Sequence, residues 1–332
     1  MKSRALGIHG PQVSEIGFGA WALGGQWGGQ DDRESEAALR VALDAGVTFI
    51  DTAQGYGDGR SERIVGGVLK SRRGGSQDVF VATKTPPAEG PWPPSPYCRW
   101  QDRYSAAYLR QNVHDRLGNL GVERIDLLQL HTWTRAWNDD PQPLLVLRQL
   151  RDEGKINLIG ISTPEQDQNC VIELMRSGLI DVVQIIYNVF DQESIAQLLP
   201  VAEETGTGVI VRVAMDEGAL TGKYTADHVF AENDFRHRYF EGDRLARTVA
   251  RVEAIRDEVA RYGLLERYSM ADVALKFALS PPSVSTVIAG IRNVDQAEKN
   301  TRVSELPDLP EALLADLRRH HWMRGVWYSG KS

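Results

Sequence analysis

Short apolar segments alternate with longer amphipathic segments along most of the chain. Eight apolar segments are rich in β-branched residues and show little polar alternation, as expected for strands buried on both faces of a parallel sheet. They cover residues 16–21, 47–50, 79–83, 125–130, 156–161, 182–187, 209–213 and 284–289. Apolar residues between them recur at helical spacing, as in residues 37–45, 64–69 and 109–120. Because no linker or change of composition interrupts the alternation, we predict one domain over residues 1–332, an α/β (β/α)8 TIM barrel rather than a two-part doubly wound sheet.

Other segments interrupt the alternation of predicted strands and helices. Residues 6–14 alternate around a Gly-Pro turn, which predicts a small N-terminal β-hairpin. Residues 86–103 hold six prolines, and residues 216–244 are polar with scattered aromatics. Insertions of this length at strand ends predict long loops over the C-terminal face of the barrel. Ser61 is the predicted N-cap of the helix at 64–69. A last helix precedes Trp322, Trp327 and Tyr328, for which the simpler alternative to a binding role is that they only close the barrel mouth.

Composition and charge narrow the functional classes. The 332 residues are 42% hydrophobic and 25% charged, with a formal net charge of -7 and no basic stripe, which argues against nucleic acid as a partner. The two cysteines, Cys98 and Cys170, lie far apart without metal-ligand spacing, so we expect neither a disulfide framework nor a metal site. The start lacks the apolar core of a signal peptide, and no apolar run is long enough to span a membrane. These features predict a cytoplasmic protein.

Four polar residues follow predicted strands, where a barrel places its active site. Asp51 ends the 47–50 segment, and the loop after it carries Tyr56. Lys84 follows the segment at 79–83, and His131 follows the one at 125–130. A free phenol has a pKa of about 10, too high for a ready acid near neutrality. We expect the Lys84 ammonium, held by Asp51, to lower the pKa of Tyr56, and His131 to hydrogen-bond the same substrate oxygen.

Simpler explanations exist for each of these residues alone, because strand-end charges are usually solvated and a single tyrosine usually packs. Their occurrence together favours proton-transfer chemistry. Lys84 as a Schiff-base nucleophile is disfavoured, since a lysine paired with a carboxylate stays protonated. The spacing of Gly17, Gly19 and Ala22 matches a dinucleotide fingerprint, but the helix that this motif requires is not expected before Glu34.

With these residues placed, nearly the whole chain resembles the aldo-keto reductases. It is most similar to bacterial members related to general stress and sugar-handling reductases, and to potassium-channel β subunits. The motifs that carry the resemblance are Phe49-Ile50-Asp51-Thr52-Ala53 with Tyr56-Gly57, Thr83-Lys84, Leu128-Gln129-Leu130-His131, Gly160-Ile161-Ser162, Gln184 with Tyr187-Asn188, Leu220-Thr221-Gly222-Lys223, and Gly290-Ile291-Arg292 with Gln296 and Asn300.

The resemblance implies roles for the four strand-end residues and for a nicotinamide cofactor. Tyr56 would be the general acid in carbonyl reduction, assisted by Lys84 and Asp51, and His131 would position the carbonyl oxygen. The cofactor would lie extended across the barrel mouth. Its implied contacts are Trp21, Asp51, Ser162, Thr163, Gln184, Tyr187, Arg212, Val213, Met215, Gly218, Leu220, Gly222, Lys223, Gly290, Arg292, Gln296 and Asn300.

Some of these contacts have specific implied roles. Ser162 and Gln184 would hydrogen-bond the carboxamide, and Tyr187 would stack on the nicotinamide ring. The loop at 212–223 would close over the pyrophosphate. Arg292 would lie near a 2′-phosphate, and since a guanidinium suits phosphate recognition, we expect NADP(H) to be preferred over NAD(H).

Tryptophans and departures from the family pattern complete the expected site. Residues expected to contact substrate are Trp21, Tyr56, Trp92, Trp100, His131 and Trp133, with Trp137 also in the pocket wall. Several positions depart from the common pattern: Thr163 stands for asparagine, Val213-Ala214-Met215 for Ser-Pro-Leu, Ala289 for proline and Lys299 for glutamate. Lys299 thereby adds positive charge near the adenosine end.

The leading hypothesis is an NADPH-dependent reductase of an aldehyde or ketone, such as a sugar or another polar carbonyl. The alternative is a redox-sensing partner protein with little turnover, similar to channel β subunits. The sequence leaves the physiological substrate, the direction of the reaction and the oligomeric state open.

Overall fold

A computed structural model describes residues 1–72 and 79–323 of the chain. Trp327 and Tyr328, which in the simpler alternative only close the barrel mouth, lie outside the described residues. Trp322 is buried, and its ring meets that of Phe190 edge to face at 5.6 Å between centroids.

Eight parallel strands close into a barrel within the described residues, and each pairs with its neighbours in chain order, the last returning to the first. This confirms the predicted (β/α)8 TIM barrel; that residues 1–332 form a single domain stays a prediction. The barrel strands are β3 (Ile16–Gly19), β4 (Phe49–Asp51), β5 (Phe80–Thr85), β6 (Ile125–Leu130), β7 (Ile156–Ser162), β8 (Val182–Ile186), β9 (Gly208–Arg212) and β10 (Val284–Gly290).

The predicted N-terminal hairpin is present and closes one end of the barrel. Its strands are β1 (Ser3–Ala5) and β2 (Gln12–Ser14), which pair antiparallel. Leu6 and Val13 are fully buried and belong to one apolar cluster with barrel-interior residues such as Phe49 and Ile210. The hairpin therefore seals the bottom of the barrel, which leaves the opposite end for the site.

Helices cover the outside of the barrel and bury apolar faces against the strands. They are α1 (Asp32–Asp44), α2 (Arg60–Ser71), α3 (Ala106–Leu120), α4 (Gln142–Asp152), α5 (Ile172–Arg176), α6 (Leu198–Thr205), α8 (Arg244–Arg261), α9 (Met270–Ala278), α10 (Val294–Arg302) and α11 (Glu311–Arg318). The short helix α7 (Phe235–Tyr239) belongs to the second insertion instead. No helix in the described part of the chain combines the length and apolarity needed to span a membrane.

Details at strand and helix ends differ from the predictions. The strand expected at 47–50 comprises Phe49–Asp51, so it begins two residues later than predicted and ends at the Asp51 carboxylate. The N-cap of α2 is Gly59, in the left-handed conformation, and not Ser61. The Ser61 hydroxyl instead donates to the Ala20 carbonyl at 2.9 Å and accepts from the Thr52 hydroxyl at 2.8 Å. Ser61 thus ties α2 to the chain that leaves β3 and β4.

The two insertions are ordered loops with local structure. The first contains a short 3-10 turn at Trp100–Asp102. The second contains the 3-10 segment Asp216–Thr221 and α7, and it has a small apolar core of its own around Tyr224, Phe230 and Phe240.

Candidate active site

A cavity of about 1260 Å³ opens where the barrel strands end. Its wall contains residues from the ends of β4, β7, β8 and β9 together with both insertions. Pockets for single drug-sized ligands have volumes of roughly 300–1,000 Å³, so this cavity is large enough for more than one small molecule. Asp51, Tyr56 and His131 all line it.

Lys84 joins Asp51 and Tyr56 at the base of the cavity. Its Nζ lies 2.5 Å from Asp51 Oδ2, 3.0 Å from the Tyr56 hydroxyl and 3.0 Å from the Thr52 carbonyl. The side chains of Lys84 and Asp51 are 0% and 1% exposed. An ammonium buried this completely requires such partners, because an unpaired buried charge is strongly destabilising.

The second oxygen of Asp51 is also fully engaged. Its Oδ1 accepts from Gln184 Nε2 at 2.7 Å and from Gln129 Nε2 at 3.2 Å. The two amides lie on β8 and β6, so the carboxylate is held from three strands at once. The sequence placed Gln129 in a family motif but indicated no role for it. Its position as the last residue but one of β6, close to the strand end, could have indicated that it reaches the site.

Burial dominates the proton affinity of Tyr56, against the expectation of a lowered pKa. Desolvation raises the pKa of its phenol above 10.0, and the opposing attraction of Lys84 only partly offsets this rise. Desolvation disfavours the charge of Lys84 too, but Asp51 and Tyr56 together outweigh it and raise the pKa of the ammonium. At neutral pH the phenol is therefore protonated and the lysine is charged.

His131 borders the same space as an uncharged imidazole. Burial lowers its pKa well below 6.5, and the charges of Lys84 and Arg212 lower it further. Its ring meets the ring of Tyr56 at 6.0 Å between centroids and that of Trp92 at 5.5 Å, both edge to face. A neutral imidazole carries one N–H donor, so His131 and the Tyr56 hydroxyl can donate to one oxygen between them.

Residues at the ends of β7, β8 and β9 continue the wall beside Tyr56. Thr163 bonds to the Gln184 carbonyl through both its backbone N–H at 2.9 Å and its hydroxyl at 3.0 Å. Ser162 is 3.5 Å from Gln184 Oε1. Arg212 donates from Nη2 to the Thr163 carbonyl at 3.0 Å, and its buried Nε has no hydrogen-bond partner among the described residues.

Tyr187 does not belong to this wall. It is 1% exposed, and its ring stacks on that of Phe277 at 5.5 Å between centroids, behind the cavity. The expectation that Tyr187 stacks on a nicotinamide ring is corrected accordingly. Leu220 and Gly222, two further expected cofactor contacts, also lie outside the wall, although Thr221 between them lines it.

The loop after β9 is held in an unusual backbone conformation. Val213, Asp216 and Glu217 have φ angles of 57°, 46° and 54°, a region that few residues other than glycine adopt. Asn188 Nδ2 donates to the Val213 carbonyl at 2.9 Å, which fixes the start of the loop. Because Val213, Met215, Glu217 and Gly218 all line the cavity, the strain lies at the site itself.

The far end of the cavity is rich in positive charge. Arg292 donates from Nε to Gln30 Oε1 and from Nη2 to the Gly29 carbonyl, each at 3.2 Å. Lys223 lies near Arg236 and Arg292. Burial lowers the pKa of Lys223 most, and the charges of Arg236 and Arg292 lower it further. Two other expected residues, Gln296 and Asn300, mainly brace this end, since Gln296 accepts from the Arg292 backbone N–H.

Arg236 was missed by sequence reasoning because its position depends on how the second insertion folds. Trp27 pairs with Asp234 in an antiparallel bridge, and the Phe235 N–H donates to the Gln26 carbonyl at 3.3 Å. These contacts bring the insertion across the cavity, where the Arg236 guanidinium lies 4.6 Å from the centre of the Trp27 ring.

The expected aromatic wall is only partly present. Trp21 and Trp92 line the cavity as predicted, and Trp27 joins them. Trp133 is 1% exposed, donates to Asn138 Oδ1 at 2.8 Å and packs against Trp137 in the core. Trp100 donates to Asp140 and lies outside the cavity wall. We therefore remove Trp100 and Trp133 from the expected substrate contacts, and Trp137 from the expected pocket wall.

Comparison with known proteins agrees with this geometry, since the aldo/keto reductase family matches residues 15–321. The chain belongs to this family. It is 31% identical over 313 residues to the aldo-keto reductase YhdN of Bacillus subtilis (strain 168), covering 92% of this chain and 89% of that protein. It is 28% identical over 320 residues to the NADH-specific methylglyoxal reductase of Escherichia coli (strain K12), covering 90% and 92%. Its fold matches the holo form of an aldo-keto reductase from Bacillus halodurans with TM-score 0.73, 27% identity and coverage of 96% and 95%.

Aldo-keto reductases use nicotinamide cofactors, and the residues present in this member of the family fit such a group. The unpartnered Nε of Arg212 lies beside the Tyr56 end, and Lys223 and Arg292 line another part of the cavity with Arg236, which is paired with Asp234. An elongated ligand with phosphates at one end and a polar ring at the other would satisfy both regions. Gly17 and Gly19 lie within β3, and a 3-10 turn follows instead of the helix that a dinucleotide-binding fingerprint requires. The structure therefore does not support that interpretation of these glycines.

A buried polar network behind the site supports the Tyr56 loop. Glu62 accepts from Arg116 at 2.7 Å, and Arg116 in turn donates to Asn112 Oδ1 at 3.0 Å. The Asn112 amide donates to Gln54 Oε1 at 2.6 Å, two residues before Tyr56. Burial raises the pKa of Glu62 despite the opposing charge of Arg116. The network links α2 and α3 to the segment that carries the phenol.

Proposed function

We propose that this aldo-keto reductase reduces an aldehyde or ketone to the alcohol, with Tyr56 as the general acid and NADP(H) preferred over NAD(H). The observation that carries the proposal is the contact of the Tyr56 hydroxyl with an ammonium that is itself held by a buried carboxylate. The oxidoreductases among its relatives support the same reaction class.

Each residue has one task in the proposed reaction. The carbonyl oxygen accepts hydrogen bonds from Tyr56 Oη and the neutral His131. The cofactor, when bound, supplies a hydride for the carbonyl carbon. Tyr56 donates its proton as the oxygen gains negative charge, and Lys84 stabilises the phenolate that remains. In alcohol oxidation the phenolate takes the proton back.

The raised pKa of Tyr56 suits this direction of proton transfer. An acid must hold its proton until the substrate oxygen becomes basic, and the enclosed phenol does so at neutral pH. The ammonium 3.0 Å away then contributes most when the phenolate forms, because its own side chain is fully buried and attraction between opposite charges is stronger away from water. Asp51 keeps Lys84 in place for this role.

The preference for NADP(H) rests on the positive far end of the cavity. Arg292 is braced by Gln30 and Gly29, and Lys223 lies nearby, as does Arg236, whose charge is paired with Asp234. A fixed guanidinium can bind a phosphate through two parallel hydrogen bonds. The Escherichia coli relative is named as NADH-specific, so cofactor preference varies among similar proteins and has to be measured directly.

The substrate is proposed to be a small polar carbonyl compound. Trp21 and Trp92 offer indole faces, and Trp92 is 48% exposed, so its side of the cavity opens to solvent. Indole faces bind sugar rings and other amphipathic molecules. That the enzyme is cytoplasmic stays a prediction from composition.

The test compares the wild type with Tyr56→Phe and a matched control, Tyr97→Phe. Tyr97 is 96% exposed, so its hydroxyl can be removed without touching the site. We expect NADPH oxidation with a panel of aldehydes, ketones and aldoses in the wild type and Tyr97→Phe, and at least about a 100-fold loss in Tyr56→Phe. Retained turnover in Tyr56→Phe would overturn the role of Tyr56. Cofactor binding without turnover on any panel member would favour the redox-sensing alternative.

A further inference from the structure

Arg212 brings a permanent positive charge to the reactive end of the cavity. It is the last residue of β9 and lines the cavity with Tyr56 and His131. Nη2 is anchored on the Thr163 carbonyl at 3.0 Å, and Thr163 is itself bonded to the strand that carries Gln184. The guanidinium is thus held by the barrel frame rather than by a mobile loop.

No carboxylate pairs directly with this guanidinium among the described residues. Asp51 is engaged by Lys84, and Nε of Arg212 has no hydrogen-bond partner. In the loop that follows, Glu217 lines the cavity and interacts electrostatically with Arg212. Burial, together with Asp216 and Glu165, raises the pKa of Glu217 to about 8, against the opposing effect of Arg212 and Arg236, so Glu217 is mostly neutral at pH 7. His131 is neutral as well.

The reaction itself determines which part of a cofactor shares this end. The substrate oxygen must lie at Tyr56 Oη and His131, and reacting atoms approach to about 3–3.5 Å. The ring that gives the hydride therefore lies within a few ångströms of the Tyr56 end, in the field of Arg212. That field already reaches both neighbours, since Arg212 contributes to lowering the pKa of His131 and opposes the rise at Tyr56.

We propose that Arg212 makes the protein discriminate between the two redox forms of its nicotinamide cofactor, by disfavouring the oxidised form. The oxidised ring carries a positive charge and the reduced ring is neutral, so a nearby guanidinium repels only the former. This inference rests on the proposed function, because it requires that the nicotinamide end binds beside Tyr56. Its consequence for turnover is easier release of the oxidised cofactor after carbonyl reduction.

Cations at the far end cannot produce the same discrimination. Arg236 is paired with Asp234, which offsets its charge. Arg292 and Lys223 would act on phosphates, which carry the same charge in both redox forms. Their contributions therefore cancel in the ratio of the two dissociation constants. Only a charge next to the nicotinamide ring changes the ratio of the two dissociation constants. The change in this ratio on substitution of Arg212 therefore measures the effect of its charge on the ring.

The experiment measures dissociation constants for NADPH and NADP+ by quenching of protein tryptophan fluorescence, with no turnover required. We expect Arg212→Gln to lower the ratio Kd(NADP+)/Kd(NADPH) by about tenfold, the size of a moderately screened charge–charge interaction. Arg212→Lys keeps the charge and should keep most of the ratio. Arg292→Gln is the matched control: both constants should rise while their ratio stays constant.

Wild-type protein supplies a second measurement that does not depend on a folded variant. As Glu217 ionises near pH 8, its charge partly compensates Arg212, so the ratio should fall between about pH 7 and pH 9. The other charged groups around Glu217 are Asp216, Glu165, Arg212 and Arg236, and Glu217→Gln should abolish the change.

The contrary outcomes are distinct. A ratio that is unchanged in Arg212→Gln and independent of pH in the wild type would overturn the inference while leaving the reductase assignment intact. An unchanged ratio with a raised KM for a carboxylate-bearing carbonyl would overturn it in favour of substrate recognition by Arg212. Failure of the wild type to bind either cofactor would instead overturn the proposed function.

Discussion

The Lys84 ammonium lies 3.0 Å from the Tyr56 hydroxyl and 2.5 Å from the Asp51 carboxylate, with the lysine between the two. In the resting state the Asp51 carboxylate pairs with the Lys84 ammonium. The ammonium can stabilise a Tyr56 phenolate only once the phenol has lost its proton. In the proposed reaction, this arrangement would stabilise charge that develops during proton transfer more than charge that is present beforehand, which is the condition for catalysis.

Replacing Lys84 by Met should remove this assistance and leave Asp51 buried without its cation. We expect turnover to fall by at least about 100-fold and the free energy of unfolding to fall by about 3–5 kcal/mol. Steady-state kinetics and urea unfolding measure the two effects separately. Adding Asp51→Asn to the variant should recover part of the stability without recovering turnover.

Lys276→Met is the matched control for this prediction. Lys276 is also a buried lysine, with a side chain 1% exposed, and its partner Asp308 is 81% exposed and outside the site. We expect turnover to be unchanged, since Asp308 can be hydrated when its partner is lost. If Lys84→Met kept more than about a tenth of wild-type turnover, the proposed acid would lose its physical basis.

Much of this site could be predicted because strand ends in a parallel barrel meet at one face. Asp51, Lys84 and His131 needed only the positions of apolar segments to be placed together. The direction of the Tyr56 pKa could not be predicted, since it depends on how far burial outweighs Lys84. An apolar pattern also does not show which side of the barrel wall a ring faces, and so Tyr187 was misplaced.

Long-range contacts were the other limit. Arg236 reaches the cavity because residues near Trp27 pair with a loop about two hundred positions away, and no local pattern indicates that pairing. Gln129 and Asn112 are ordinary polar residues until their partners are known.

His131 should remain uncharged in the folded protein through the neutral range. Burial holds its pKa well below 6.5, so below about pH 6.5 the unfolded chain binds a proton there that the folded protein does not. The free energy of unfolding contributed by this residue therefore decreases as the pH falls from 6.5 towards the lower folded pKa. We expect the stability of the wild type relative to His131→Gln to decrease between about pH 7 and pH 5 in chemical denaturation.

His114 provides the comparison for that measurement. Its side chain is 84% exposed, so His114→Gln should change stability little. A constant difference between the wild type and His131→Gln over the same range would mean that the folded imidazole titrates normally.

Glu217 should destabilise the folded protein as the pH rises. Its folded pKa of about 8 lies above the value of 4.5 expected for an unperturbed carboxyl, so the unfolded chain releases a proton that the folded protein keeps. Stability is therefore lost progressively from about pH 4.5 to pH 8 and levels off above it. Glu217→Gln should be more stable than the wild type by about 1 kcal/mol at pH 8, since the side chain is partly exposed, and should lose this advantage near pH 5. Thermal unfolding at both pH values tests the sign.

Asn112 should support catalysis without touching substrate. It accepts from Thr85 Oγ1 at 2.8 Å and donates to Gln54 at 2.6 Å, which steadies the loop before Tyr56. Asn112→Ala should lower kcat by about tenfold with little change in KM, and stability by about 1–3 kcal/mol. Gln111→Ala, which removes an exposed contact to Asp115, should do neither. Equal kcat in the two variants would show that the network is only structural.

Two tryptophans that look alike in the sequence should behave differently on substitution. Trp92 lines the cavity beside His131, with ring centroids 5.5 Å apart. Trp133 is buried against Trp137 and donates its indole N–H to Asn138. Trp92→Ala should raise KM for the carbonyl substrate by about 2- to 10-fold, because a substrate ring or chain loses one stacking face, and should leave unfolding almost unchanged.

Trp133→Phe should show the reverse pattern. It leaves the half-buried Asn138 acceptor without its donor and removes part of a buried ring, so we expect the free energy of unfolding to fall by about 1–3 kcal/mol with KM unchanged. Steady-state kinetics on the best panel substrate and urea unfolding of both variants provide the comparison. A larger KM effect from Trp133→Phe than from Trp92→Ala would mean that substrate reaches the protein from the Trp133 side, which the position of the cavity wall does not allow.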